Sequence, residues 1–134
     1  MLTIRDIDHL VLRVHDMDTM IRFYGEVLGC PVHRVDDRIS LVQLRAGRGL
    51  IDLMPADTQA GGELGRAGRN LDHFCLRVEP WDADAIRSHL RAHGVEPGPV
   101  AQRFGAEGQG PSIYLVDPEG NTVELKGPPN AQPG

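Results

Sequence analysis

The sequence predicts an α+β chain in which one βαβββ unit occurs twice. Three observations carry this. The octet Ile7-Asp8-His9-Leu10-Val11-Leu12-Arg13-Val14 returns 64 residues later as Leu71-Asp72-His73-Phe74-Cys75-Leu76-Arg77-Val78, with five of eight positions identical. Each copy is followed by an amphipathic helical stretch and then by short strand-like runs. Few aromatics (4%) with 16 Gly and 10 Pro fit a sheet with tight connections better than a helical bundle.

In the first half, Asp16 is placed to cap a helix whose Met17, Met20, Ile21, Tyr24 and Leu28 share a face and which stops at Gly29. Strand material follows at 32–35, 40–44 and 50–54. In the second half, Asp82 caps a helix with Ala83, Ile86 and Leu90 inward and Gly94 at its end, followed by strands at 100–103, 112–116 and 122–126. The run Asp117-Pro118-Glu119-Gly120-Asn121 is a turn signal joining the last two strands as a hairpin. Residues 104–111, rich in glycine, read as an irregular mobile loop rather than a dinucleotide fingerprint.

The chain therefore reads as a single domain over 1–134, with module one at about 5–55, a linker at 56–70, module two at about 71–127 and a frayed tail at 128–134. Halves this small bury too little apolar surface alone, so they share their sheet or pair across a dimer, and a homodimer is expected. A net charge of −5 argues against nucleic-acid or anionic-membrane partners. No apolar run reaches the roughly 18 residues of a membrane span. Asp6 and Asp8 stand where a secretory signal would be apolar, so the expected location is cytoplasmic. Cys30 and Cys75 sit among apolar neighbours outside any CxxC spacing and read as buried free thiols.

Strand alternation puts His9, Val11 and Arg13 on the face opposite Leu10, Leu12 and Val14. By the same parity, Asp52 lies opposite Ile51 and Leu53, and Glu124 opposite Val123 and Leu125, in an exposed concave position. Each repeat thus offers one histidine and one carboxylate to one surface. His9, Asp52, His73 and Glu124 are candidate ligands of a divalent transition ion, because imidazole nitrogens suit Fe, Ni, Zn, Co or Mn and carboxylate oxygens complete the shell. His89 and His93 are four apart on the second helix but lack an intervening glutamate and read as a solvated helix end; His15 and His33 receive no role. Arg13 and Arg77 repeat with the histidines, as salt-bridge partners or as holders of an anionic group.

The paired IDHLVLRV and LDHFCLRV strands, the helix segment MIRFYGEVLG and the ending SIYLVDPEGNTVEL resemble the vicinal oxygen chelate superfamily, which includes glyoxalase I, extradiol dioxygenases and bleomycin resistance proteins. The resemblance spans about residues 5–127. It implies paired modules forming a cupped mixed sheet around one divalent metal (Ni, Zn, Co, Mn or Fe(II)), usually in a dimer. Position by position, the family's first-strand histidine matches His9, its fifth-strand histidine His73 and its final-strand glutamate Glu124. The further ligand of glyoxalase I, normally glutamate, falls on Asp52, one methylene shorter.

Three activities follow from the resemblance. A glyoxalase I-like lyase would isomerise a thiol adduct of an α-ketoaldehyde through a metal-bound enediolate, with Glu124 as base. An Fe(II) extradiol dioxygenase would use His9, His73 and Glu124 on a catechol. Such enzymes place a tyrosine ten residues before the final glutamate, which here is Tyr114, but position 104, where they often carry a histidine, is Phe104. A metal-free small-molecule binding or resistance protein is the third.

Overall fold

The computed structural model describes residues 3, 5–56, 71 and 73–131. Residues 57–70 of the expected linker, Asp72 of the second octet and the last three residues of the expected tail lie outside the described set. The chain divides into two compact units, Met1–Gly68 and Arg69–Gly134.

The first unit runs β1 (His9–Val14), α1 (Met17–Arg22) with a π-helical continuation Phe23–Val27, β2 (Val32–Asp36), β3 (Leu41–Ala46) and β4 (Gly49–Pro55). Its four-stranded sheet has the order β1-β4-β3-β2, with β1 parallel to β4 and the other pairs antiparallel. The second unit repeats the plan with β5 (Phe74–Arg77), α2 (Ala83–Ala92), β6 (Ala101–Gly105), β7 (Gly108–Val116) and β8 (Thr122–Lys126), in the order β5-β8-β7-β6 with β5 parallel to β8. In each unit the helix carries the chain from the first strand to a three-stranded antiparallel meander whose last strand returns beside the first. This is the α+β, twice βαβββ architecture that the repeat predicts.

Both helices start as their sequences dictate. Asp16 accepts from the Thr19 backbone N–H at 3.1 Å and from the Thr19 hydroxyl at 2.8 Å, and Asp82 accepts from the Ala85 N–H at 3.1 Å. After α2, Gly94 takes φ +77°, and the Val95 N–H reaches back to the Leu90 carbonyl at 2.8 Å, a turn that a side chain at Gly94 would strain.

The first helix departs from the expected face. The Leu28 N–H bonds to the Phe23 carbonyl five residues back, widening the last turn. That extra residue brings Phe23 and Tyr24 both into the core, their rings edge to face at 5.2 Å, while Leu28 is only half-buried. A constant 3.6-residue period cannot register such a turn.

The expected loop at 104–111 is instead a hairpin. Gly105 pairs with Gly108 across a two-residue turn, so β7 begins four residues before Ser112. The glycines that suggested irregularity make room for neighbours: a Cβ at Gly105 would run into the Lys126 side chain, and one at Gly110 into the Pro128 backbone. Of the residues expected to face inward, Leu12, Val14, Ile51 and Leu53 are buried in one unit and Leu90, Val123 and Leu125 in the other, and Leu44, Ile113 and Leu115 join them.

Candidate metal centre

The second unit assembles its candidate residues through strand pairing. In β5 and β8 Cys75 lies opposite Glu124, and in β7 and β8 Tyr114 does so from the other side. His73, two residues before Cys75, brings its Nε2 to 3.3 Å from Glu124 Oε1. The other carboxylate oxygen accepts from the Ser112 hydroxyl at 2.7 Å. The Tyr114 ring meets the His73 ring edge-on, with centroids 5.4 Å apart.

Glu124 is only 5% exposed, which corrects its expected place on an open concave surface. Its neighbours on β5 and β7 close over it although it points away from Val123 and Leu125. Burial alone would raise its pKa. Hydrogen bonds from Ser112, Tyr114 and Cys75, with the His73 charge, outweigh burial and hold the carboxyl below its ordinary value. Glu124 is therefore ionised at neutral pH. Cys75 is exposed rather than buried, a second correction, because it lies on the outward parity of a short strand. Desolvation of its thiol, followed by the Glu124 charge, pushes its pKa up to about 11. Both cysteines are free.

The first unit follows the same register. Val11 lies opposite Asp52 in β1 and β4, and Gln43 opposite Asp52 in β3 and β4. Asp52 is 4% exposed. Gln43 Nε2 donates to its Oδ2 at 3.2 Å, whereas Oδ1 is buried with no hydrogen-bond partner among the described residues. His9 hydrogen-bonds through Nδ1 to Asp8 Oδ1 at 2.7 Å, which leaves Nε2 as the acceptor nitrogen of the ring. The Asp8 bond raises the His9 pKa against desolvation, with the Asp52 charge adding to it.

These donors fit a divalent cation. A buried carboxylate oxygen without a donor is costly, and a cation would satisfy it. An imidazole whose Nδ1–H is held by a carboxylate is oriented as metal-ligating histidines are. Among the described residues, no three or more His, Cys, Asp or Glu side chains are gathered into a metal-binding group. What each unit brings together is its own buried carboxylate with the partners just described.

The other candidates resolve simply. Arg77 forms an ion pair with Glu107 at 2.7 Å, and Arg13 donates to the Pro55 carbonyl at 3.0 Å. His89 and His93 meet at the exposed end of α2, their rings tilted by 54° with centroids 4.6 Å apart. Sequence reasoning missed Ser112, Gln43 and Asp8 as partners of the candidate ligands. For Gln43 and Ser112, the missing information was the cross-strand register. No helix among the described residues is long and apolar enough to cross a membrane.

Comparison with known proteins agrees with this architecture. Virulence protein STM3117 of Salmonella typhimurium is 36% identical over 121 residues, covering 89% of this chain and 81% of that protein. Its crystal structure superposes with a TM-score of 0.81, covering 95% of this chain and 99% of the other at 30% identity. The glyoxalase domain-containing protein RDO1 of Mycosarcoma maydis is 32% identical over 136 residues, covering 92% of this chain and 69% of its own. An integron cassette protein from V. cholerae, VCH_CASS1, has a TM-score of 0.82 at 26% identity, with 95% and 98% of the two chains covered. Residues 6–125 match the family model directly, and the chain belongs to the Glyoxalase/Bleomycin resistance protein/Dioxygenase superfamily.

Proposed function

We propose that this protein is a metal-dependent enzyme acting on a small molecule, of the glyoxalase I kind, with His9, Asp52, His73 and Glu124 as ligands of one divalent ion. The observation that carries the reading is Glu124: a buried, ionised carboxylate 3.3 Å from His73 Nε2 and oriented by Ser112 and Tyr114. A bound divalent ion would supply Lewis acidity, making a carbon-bound proton beside a carbonyl easier to remove.

The chain's own residues then do the proton work. Glu124, charged at neutral pH, accepts the proton from the hydroxyl-bearing carbon of an α-ketoaldehyde thiol adduct and returns it to the neighbouring carbonyl carbon, while the hydroxyl proton passes to the former carbonyl oxygen, so the isomerisation balances. Ser112 and Tyr114 hold the carboxylate in one orientation while it does so. Asp52, the matching carboxylate of the first unit, keeps an oxygen without a donor among the described residues and is suited to ligation.

A second reading, an Fe(II) extradiol dioxygenase, draws on Tyr114, which pairs in register with Glu124 and packs on His73 where a phenol could reach a catechol. The test is anaerobic reconstitution with Ni, Co, Zn, Mn or Fe(II), followed by assays with the methylglyoxal–thiol adduct and with catechol. Turnover of the adduct with Ni, Co or Zn supports isomerisation. Oxygen uptake with Fe(II) and catechol supports the dioxygenase. Ligand binding with no turnover and no metal supports a binding or resistance protein.

A further inference from the structure

The second helix ends in a pair of imidazoles that the candidate centre does not use. His89 lies in the last turn of α2 and His93 caps that turn four positions on, so the two side chains share one face of the helix. Both residues are exposed. Their ring centroids are 4.6 Å apart and the ring planes cross at 54°, so the rings are in contact without being stacked flat.

The backbone beneath them is fixed. The His93 N–H bonds to the His89 carbonyl at 3.2 Å and to the Leu90 carbonyl at 3.1 Å, and the Gly94 N–H bonds to the Arg91 carbonyl at 3.0 Å. Leu90, one residue after His89, is 1% exposed and anchors this turn in the core. The helix end is thus held against fraying, and the pair is in place before an ion arrives. The surrounding charge also suits a cation, because a helix C-terminus is the negative end of the dipole. Ala85 and Ile86 precede His89 on the same face, whereas Arg91, two residues from each histidine, does not share that face and meets Glu96 at 3.4 Å.

Ring separation selects the coordination geometry. Metal–imidazole bonds of about 2.0–2.1 Å set each ring centre about 3.2 Å from a shared ion, so rings at a right angle have centroids about 4.5 Å apart and rings at the tetrahedral angle about 5.2 Å. The observed 4.6 Å lies at the right-angle value. Nitrogen ligands at a right angle suit tetragonal Cu(II), which a given imidazole site also binds more tightly than Ni(II) or Zn(II). We propose that His89 and His93 form a second metal site, an exposed Cu(II) site with one nitrogen of each ring in adjacent equatorial positions and water completing the shell. It shares no residue with the carboxylate centre and does not depend on the function read from that centre. Two exposed ligands hold an ion exchangeably, so this copper is taken up from solution rather than carried through purification.

The test is titration of untagged protein with copper(II) chloride at neutral pH against glycine as competitor, by calorimetry and pulsed EPR, in the parent and in His89→Ala, His93→Ala and His73→Ala. The expected result is one Cu(II) per chain that His89→Ala and His93→Ala each bind at least tenfold more weakly. In His73→Ala, where the candidate centre has lost a ligand, the EPR modulation should still report two equatorial imidazoles on one copper. That arm separates the helix site from copper entering the carboxylate centre. Copper uptake and affinity in both α2 variants within twofold of the parent would overturn the proposal, as would a one-imidazole signal or no bound copper in His73→Ala.

Discussion

His73, immediately before β5, and Glu124, on the parallel β8, approach to 3.3 Å, and the oxygen of Glu124 not facing His73 is taken by Ser112 at 2.7 Å. A buried carboxylate is thus met from two sides, once on each oxygen. Removing one donor leaves the charge in place but short of compensation.

Ser112 is fully buried, so Ser112→Ala is expected to destabilise the protein by about 1–3 kcal/mol, the cost of an unsatisfied buried acceptor. Urea unfolding measures this directly. A change within experimental error would mean that Glu124 finds another donor.

Asp36 gives the pH dependence. The Arg38 side chain first, against desolvation and helped by the Arg38 backbone N–H and the Arg38 and Arg34 charges, lowers its pKa from 3.8 to about 2. A carboxylate held lower in the folded than in the unfolded chain stabilises the fold above its unfolded value and loses that contribution as pH falls through the folded one. Asp36→Asn should therefore lose stability above pH 4 and approach the parent near pH 2. Denaturation midpoints across that range check it, and parallel curves would refute it.

With its pKa near 11, Cys75 should be alkylated slowly at pH 7 by iodoacetamide, with a rate rising about tenfold per pH unit up to pH 10. In denaturant both Cys30 and Cys75 should titrate as free thiols. Mass spectrometry resolves the two sites, and fast labelling of Cys75 at neutral pH would contradict the environment described.

Edge strands β2 and β6 leave Val32, Val35 and Phe104 exposed, and an apolar edge favours pairing with a second copy. Light scattering at micromolar concentration should give twice the 14.7 kDa chain mass. A mass of one chain would remove the homodimer.

The repeated octet made the double βαβββ plan legible, because Asp-His-Leu-Arg-Val at one spacing fixes both strand phase and module length. Asp16 and Asp82 were legible as caps for an equally local reason. Three features were hidden. The π turn at Phe23–Val27 breaks the period that the helix reading relies on. The β6–β7 hairpin is written in glycines and Pro111, which locally argue against a strand and are tolerated because Lys126 and Pro128 fill the space. The burial of Glu124 and Asp52 depends on neighbours brought in by pairing register, which alternation along a single strand does not contain. Parity along one strand could not show that Ser112 and Gln43 would cover the two carboxylates.

Metal content of untagged protein purified anaerobically tests the central claim most directly. The account predicts one divalent ion per chain in the parent, with clear loss in His9→Ala, His73→Ala and Glu124→Gln. Asp52→Ala should lose as much if all four residues ligate, and less if three suffice. Full metal content and activity in both histidine variants, or no metal bound by the parent even after reconstitution, would contradict it.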